Sequence, residues 1–373
     1  MYSGIDQHLI LEWSLRLKIS LATKKQGVDA LKQVISRETV LSQQLKLDVE
    51  QLRAITREYR VRIPEYYLNL IEAPDDPIWK QSVPDERELD SDNLPEDPFL
   101  EDDPHYSPVP HLTHRYPDRV LLLVTDQCPM YCRYCMRKRK TQKHGGVTRS
   151  TIQQGIAYIQ RTPAVREVIL SGGDPLMLAD SLLERILRQI RAVEHVEILR
   201  IHTRMPCVLP QRVTPELARM IARFHPLFMV VHFNHPRELT PEAKTALGYL
   251  ADAGIPLNNQ SVLLKGVNDD PVVLRTLCLE LLKSRVRPYY LHQADLVHGT
   301  DHFRTRVETG LEIMRSLRGQ ISGLAVPQYV LDGPGGGGKI PLYPDDQQVV
   351  LEEKVILKNC DGGNMEYPQV AKD

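Results

Sequence analysis

The chain has 373 residues, 42% hydrophobic and 25% charged, with 47 lysines and arginines against 48 aspartates and glutamates for a formal charge of −1. This near-average composition excludes collagen-like, mucin-like and wholly disordered chains, and the balanced charge gives no global reason to bind nucleic acid or an anionic membrane. Six cysteines in this length exclude a disulfide scaffold.

In chain order, the opening MYSGIDQHLILEWSLRLKIS breaks its apolar positions with Asp6, His8 and Glu12, so no signal-peptide core is expected. The longest apolar runs, 120–124 and 227–231, fall far short of the ~20 residues that span a bilayer. The expectation is a cytoplasmic protein whose thiols stay reduced. Leu9, Ile10, Trp13 and Leu17, then Leu45, Val49 and Leu52, recur at helical spacing and predict a helical region over 1–72. Over 73–112 the stretches APDDPIW, DSDNLPEDP and EDDPHYSPVP are rich in Pro, Asp and Glu, and read as a wrap or linker anchored by Trp79, Phe99 and Tyr106.

From Val120 short apolar runs alternate with amphipathic stretches. The strands are expected at 120–125, 167–170, 197–202, 227–233, 256–264 and 288–293. Helices are expected at 151–161, 181–193, 214–223, 241–253, 271–283 and 303–317. This rhythm predicts an α/β fold with a parallel sheet, an open partial (β/α)6 barrel over 113–340 followed by a tail segment over 341–373. A doubly wound sheet is the alternative. In both, functional residues gather at the C-terminal ends of the strands.

Three features carry chemistry. CPMYCRYC places Cys128, Cys132 and Cys135 just after the first strand, at C-x3-C-x2-C spacing. A structural zinc site asks for four ligands, and Cys207, Cys278 and Cys360 are scattered singly; three thiolates suit a [4Fe–4S] cluster with one iron left open. SGGDPL, after the second strand, sets Ser171, Gly172, Gly173 and Asp174 in a turn whose glycines allow close backbone approach. His202, His232 and Asn234 stand at strand ends, facing a ligand or lining the barrel mouth. The segment YVLDGPGGGGKIPLYP formally matches two nucleotide-binding patterns. Both fail: Ile340 stands where a P-loop needs Ser or Thr, and Pro341 and Pro344 discourage the helix each pattern opens. What remains is a strand, a turn without side chains, and Lys339. Partly buried, that amine suits imine formation; an exposed lysine after a mobile loop is the alternative.

CPMYCRYC, with the aromatic Tyr134 before its last cysteine, resembles the signature of the radical S-adenosylmethionine (SAM) enzymes. Over most of its length the sequence resembles the lysine 2,3-aminomutase family, radical SAM enzymes that also use pyridoxal 5′-phosphate (PLP). The resemblance runs through REYRVRIPEYYLNLI, DDPIWKQSVP, SPVPHLTHRYPDRVLLLVTDQC, SGGDPL, FNHP, NQSVLLKGVND, RPYYLHQADL, DGPGGGGK and KVILKN. It implies that Cys128, Cys132 and Cys135 hold the cluster and that SAM chelates its open iron. The turn from Ser171 through Gly172 and Gly173 to Asp174 is implied to hold the SAM amino group, and His232 is a candidate to face the adenosyl moiety or to line the barrel mouth. Lys339 is implied to bind PLP as an imine, with Arg115 and Arg119 on its phosphate and Gln260 as a further polar contact. For the substrate, Arg137 is implied to take the α-carboxylate, and Asp295 and Asp332 the ε-ammonium. Two acids would repel a distal carboxylate, which favours lysine over glutamate.

The implied activity is interconversion of L-lysine and β-lysine (3,6-diaminohexanoate). Its partners are a small amino acid and an electron donor such as flavodoxin or ferredoxin, in a homo-oligomer that engages neither nucleic acid nor membrane. Family members acting on glutamate, or on lysine destined for elongation factor P, are alternatives. So are a SAM-cleaving enzyme without PLP and a non-catalytic iron–sulfur or zinc protein. The family's structural zinc uses a cysteine after GVND and a C-terminal cysteine cluster. Here Asp270 follows GVND and the tail after Cys360 has no cysteine, so that zinc is not expected.

Overall fold

The structure is a computed structural model that describes residues 29–31, 34–36, 38–90, 94–143, 146–344, 348–350, 354–358 and 364–368. The helical spacing expected over 9–17, and Cys360, lie outside the described residues. Helices α1 (Glu38–Leu45) and α2 (Val49–Glu58) come first. The periodicity through Leu45, Val49 and Leu52 thus spans two helices: Lys46 turns into the left-handed region at φ 56°, and Asp48 caps the restart by accepting from Gln51 N. A short antiparallel pair, Val34–Ile35 with Ile63–Pro64, ties this region together.

The main sheet has β1 (Leu112–Tyr116), β2 (Arg119–Thr125), β3 (Glu167–Gly172), β4 (Ile198–Thr203), β5 (Leu227–Val231), β6 (Leu257–Leu263), β7 (Val286–Gln293), β8 (Gln328–Gly333) and β9 (Gly338–Pro341). They pair in chain order, and within the described residues the two end strands do not meet, so the barrel stays open. Strands β2 to β8 run parallel; β1 and β9 are antiparallel edges. Helices α3 (Arg149–Gln160), α4 (Asp180–Arg191), α5 (Pro215–Ala222), α6 (Pro241–Asp252), α7 (Pro271–Lys283) and α8 (Val307–Leu317) follow β2 to β7 in turn. This is the expected partial barrel of six βα units, extended by the β8–β9 hairpin. A separate three-stranded sheet is formed by Gln348–Val350, Lys354–Lys358 and Asn364–Pro368.

The local chemistry explains these boundaries. α4 buries Leu183, Ile186, Leu187 and Ile190, one apolar stripe at helical spacing. Thr148, Thr214 and Thr240 cap α3, α5 and α6, and proline at the first turn of α5, α6 and α7 suits positions that need no N–H. Asp270, the residue after GVND, caps α7 by accepting from the backbone of Val272 and Val273. Leu41, Leu52, Ile63, Tyr67 and Ile78 belong to the same hydrophobic core as the barrel strands.

The acidic wrap is an electrostatic partner of the cysteine loop and of the basic run that follows it. Glu88 is fully buried and accepts from Arg133 Nε at 2.8 Å, Arg133 Nη2 at 2.7 Å and Lys138 Nζ at 2.7 Å. Burial opposes its charge, but those two cations outweigh it and hold the carboxyl below its usual range. Glu101 pairs with Arg137, while Asp97 and Asp102 pair with Arg139. Replacing Glu88 with Ala strands two buried cations. The expected loss is about 3–5 kcal/mol of unfolding free energy, read from urea denaturation; an unchanged midpoint contradicts it.

Candidate functional site

A cavity of about 600 Å³ opens where the strands end. Every site residue singled out in the sequence lines it except Asn234. The cysteine loop begins where β2 stops and is pinned from outside the barrel. Tyr131 N donates to Arg62 O at 2.9 Å, and Arg133 N to Gln81 O at 3.0 Å. Cys128, Cys132 and Cys135 all reach the cavity as free thiols. Burial pushes the Cys128 thiol well up and the Cys135 thiol up to about 11, and the neighbouring sulfurs add to both shifts. Crowded, buried sulfurs become thiolates together only when positive charge sits among them, which is what bound iron supplies.

The SGGDPL turn is stitched to this loop: Gly173 N donates to Thr125 O and Asp174 N to Gln127 O, both at 2.7 Å. A Cβ on Gly172 would come within 2.1 Å of Thr125 O, and one on Gly173 within 2.2 Å of Gln127 O. The close backbone approach read from the sequence is therefore an approach to the cysteine loop itself. Asp174 is buried, accepts from Thr203 Oγ1 at 2.7 and 2.9 Å and from the backbone of Leu176 and Arg204, and is raised to about 6 by burial. Ser171 sits beside it in the cavity wall.

The Tyr134 hydroxyl lies 2.7 Å from His232 Nε2 and accepts from Asn234 Nδ2 at 2.7 Å. The His232 and Tyr134 rings stack at 5.7 Å, and burial holds His232 well below its usual pKa, neutral. Asn234 does not face the cavity. Its amide also donates to Gln81 and accepts from Val262 N, so it is a buried knot behind Tyr134. His202 does face the cavity, with Nε2 buried and unpartnered.

At the opposite wall the β8–β9 register pairs Gly333 with Gly338 and Asp332 with Lys339. The turn between them needs glycine: Gly335, Gly336 and Gly338 take φ of 65°, 88° and 71°, and a Cβ on Gly336 would strike the Tyr106 ring at 2.7 Å. Lys339 Nζ donates to both Asp332 oxygens at 2.9 and 2.8 Å. Its side chain is 32% exposed, partly buried as expected, and the ion pair positions it. Arg115 donates to the Phe99 carbonyl, leaving Nε buried and unpartnered, and Arg119 lies 3.9 Å over the Tyr116 ring. Gln260 lines the wall between.

Two carboxylates meet here with different protonation. Asp295 is pushed up to about 7 by burial and then by the charge of Asp332. For Asp332, burial is outweighed by the His292 hydrogen bond and by Lys339, and its carboxyl is held well below the usual range. Arg137 lines the cavity with Nε and Nη2 bonded to Glu101. Sequence reasoning passed over Glu101, Arg204, Tyr290 and His292. The last two alternate along β7 in RPYYLHQADL, a period-two signal that was available; the first two are placed only by distant segments.

Such a barrel, with a three-cysteine loop after its first parallel strand, defines a radical SAM enzyme. Residues 122–274 match the family model described as Radical SAM superfamily, and 314–372 match the one described as Lysine-2,3-aminomutase. The chain is 49% identical to an L-lysine 2,3-aminomutase of Fusobacterium nucleatum, covering 86% of this chain and 77% of that one. It is 50% identical to one of Clostridium subterminale, covering 85% and 77%. It is 41% identical to a glutamate 2,3-aminomutase of Clostridioides difficile, covering 94% and 82%. The chain belongs to the lysine 2,3-aminomutase family.

Members are isomerases that use a [4Fe–4S] cluster, SAM and PLP, and the cavity fits all three. The crowded thiols suit iron, and the unpartnered Arg115 Nε beside Arg119 suits a phosphate. Replacing Cys128, Cys132 or Cys135 singly with Ala is expected to abolish acid-labile sulfide and brown absorbance after anaerobic reconstitution. The buried Cys207 and Cys278 tolerate the same change without losing the cluster; equal losses at all five positions contradict the assignment.

Proposed function

We propose that this enzyme interconverts L-lysine and β-lysine by 2,3-amino migration. The carrying observation is the carboxylate pair, Asp295 and Asp332, in the same cavity as Lys339, with the charge of Asp332 helping to raise Asp295. A distal ammonium neutralises that pair, whereas the distal carboxylate of glutamate adds a third negative charge.

When bound, the cluster and SAM supply hydrogen-atom abstraction, and PLP supplies the conjugated system through which nitrogen moves. The chain's residues bind and orient. Lys339 holds PLP, Arg115 and Arg119 take its phosphate, and Gln260 adds a polar contact. Ser171, Gly172, Gly173, Asp174 and His232 form the wall for SAM. Arg137 offers Nη1 to the substrate α-carboxylate while Glu101, gripping Nε and Nη2, fixes the guanidinium plane. Asp332 is the counter-ion of Lys339 and faces the same cavity as Asp295, so it becomes the ammonium's partner once that amine is engaged.

Residues 113–340 serve as the catalytic barrel in this reading. The free thiols, and the absence among the described residues of any helix long and apolar enough to cross a membrane, support a cytoplasmic enzyme reduced by a flavodoxin- or ferredoxin-type donor. Met365 and Tyr367, 56% and 63% exposed on the three-stranded sheet, support a homo-oligomer.

The test is anaerobic incubation with SAM, PLP, reductant and L-lysine. Free β-lysine is expected; β-glutamate from glutamate, or modified elongation factor P in place of free β-lysine, overturns the reading. Asp295→Asn is expected to lower kcat/KM for lysine roughly 10- to 100-fold, from the ~1.5–3 kcal/mol of a hydrogen bond to a charged group. Because the carboxylate form binds the ammonium, kcat/KM rises as pH increases through about 7, and that rise is lost in Asp295→Asn. Arg115→Ala is expected to weaken PLP binding roughly tenfold or more, measured by fluorescence titration of the apoenzyme.

A further inference from the structure

We propose that Arg204 is a positioning residue for the iron–sulfur cluster, whose guanidinium, held beside the Cys132 sulfur, raises the cluster's reduction potential. The proposal rests on Cys132 being a cluster ligand. Arg204 follows β4 and is 9% exposed. Its Nη1 donates to Cys132 Sγ at 2.8 Å. Its Nη2 is fixed by Glu238 at 2.8 Å, Gln81 at 2.7 Å and the Tyr67 hydroxyl at 3.3 Å. The guanidinium also lies 5.3 Å from the Tyr134 ring centroid and 5.6 Å from that of Tyr67.

The grip is lopsided in a useful way. The carboxylate that balances the charge holds Nη2, Nη1 points at the Cys132 sulfur, and the buried Nε carries no hydrogen bond. Glu238 is held independently of Arg204 by further hydrogen bonds, accepting from the Tyr67 hydroxyl at 2.6 Å and from the backbone of Asn234 and His235 at 2.6 and 2.9 Å. Arg204 N in turn donates to Asp174 at 2.8 Å, so one residue bridges the cysteine loop and the SGGDPL turn. Tyr67 and Gln81 come from outside the barrel, which gives the N-terminal region a part in tuning the site.

Reduction adds one electron, from an external low-potential donor, to the cluster and its sulfurs. No proton leaves Arg204. Electron density rises on Cys132 sulfur, the N–H to sulfur bond and the fixed positive charge gain strength, and the reduced state is favoured. Removing the cation has the opposite effect, and removing the balancing anion raises the potential.

The experiment is a mediated redox titration of the reconstituted enzyme without SAM or substrate, followed by the electron paramagnetic resonance signal of the reduced cluster, with iron and sulfide assayed in parallel. Arg204→Met is expected to weaken the preference for the reduced cluster about tenfold, a downward shift of about 59 mV for one electron. Arg204→Lys is expected to fall between, and Glu238→Gln to shift upward. Arg204→Met combined with Glu238→Gln removes both charges at once and gives the reading if the single variant does not fold. Its potential is expected below that of Glu238→Gln alone. Opposite signs for the two single variants support the proposal, since a merely structural role predicts none. Potentials unchanged with full iron and sulfide, or shifted the same way, overturn it. Wild-type protein that binds no cluster overturns the underlying assignment instead.

Discussion

Glu88, buried between Arg133 and Lys138, is the contact on which the site depends. The cysteine loop is short, polar and placed at a strand end, so apolar packing alone cannot fix it. An ion triad without solvent gives it a single position: Arg133 reaches Glu88 with two nitrogens and the Arg60 carbonyl with a third, while Lys138 also donates to the Gly299 carbonyl. Such a buried triad contributes little net stability against an apolar substitute, but it tolerates no loss of one partner. It fixes where three sulfurs stand.

The same logic runs around the cavity. The near-zero net charge conceals local pairs: Glu101 with Arg137, Asp332 with Lys339, Glu238 with Arg204. Each pair orients one group and leaves part of it facing the cavity. The three sulfurs and the SGGDPL turn lie at the ends of β2 and β3, and His232 at the end of β5; Arg115, Arg119, Gln260, Lys339 and the paired acids come from β1, β2, β6 and the β7 to β9 side. The barrel brings these chemistries into one cavity because all its parallel strands end at the same edge.

Much of this was legible in the chain. The alternation of apolar runs and amphipathic helices located all six βα units to within a few residues, because strand and helix periods are local properties. The cysteine spacing and the PGGGGK run pointed to their chemistries, because both are compact in sequence. Less was legible where a residue's meaning lies in a distant partner. The acidic segment read only as a wrap or linker, since nothing in DSDNLPEDP or EDDPHYSPVP says that it neutralises the RKRK run. Asn234 read like His232 at a strand end, yet packs behind Tyr134.

The sequence by itself determined the elements, the cysteine loop, the glycine turn and the identity of the charged side chains. Only the tertiary structure decided which charges meet. Hairpin register sets Asp332 opposite Lys339, and β4 delivers Arg204 to a sulfur 72 positions away. The physical reason is that secondary structure follows from neighbours within a turn or a pleat. A buried ion pair forms only when folding removes two distant charges from water together.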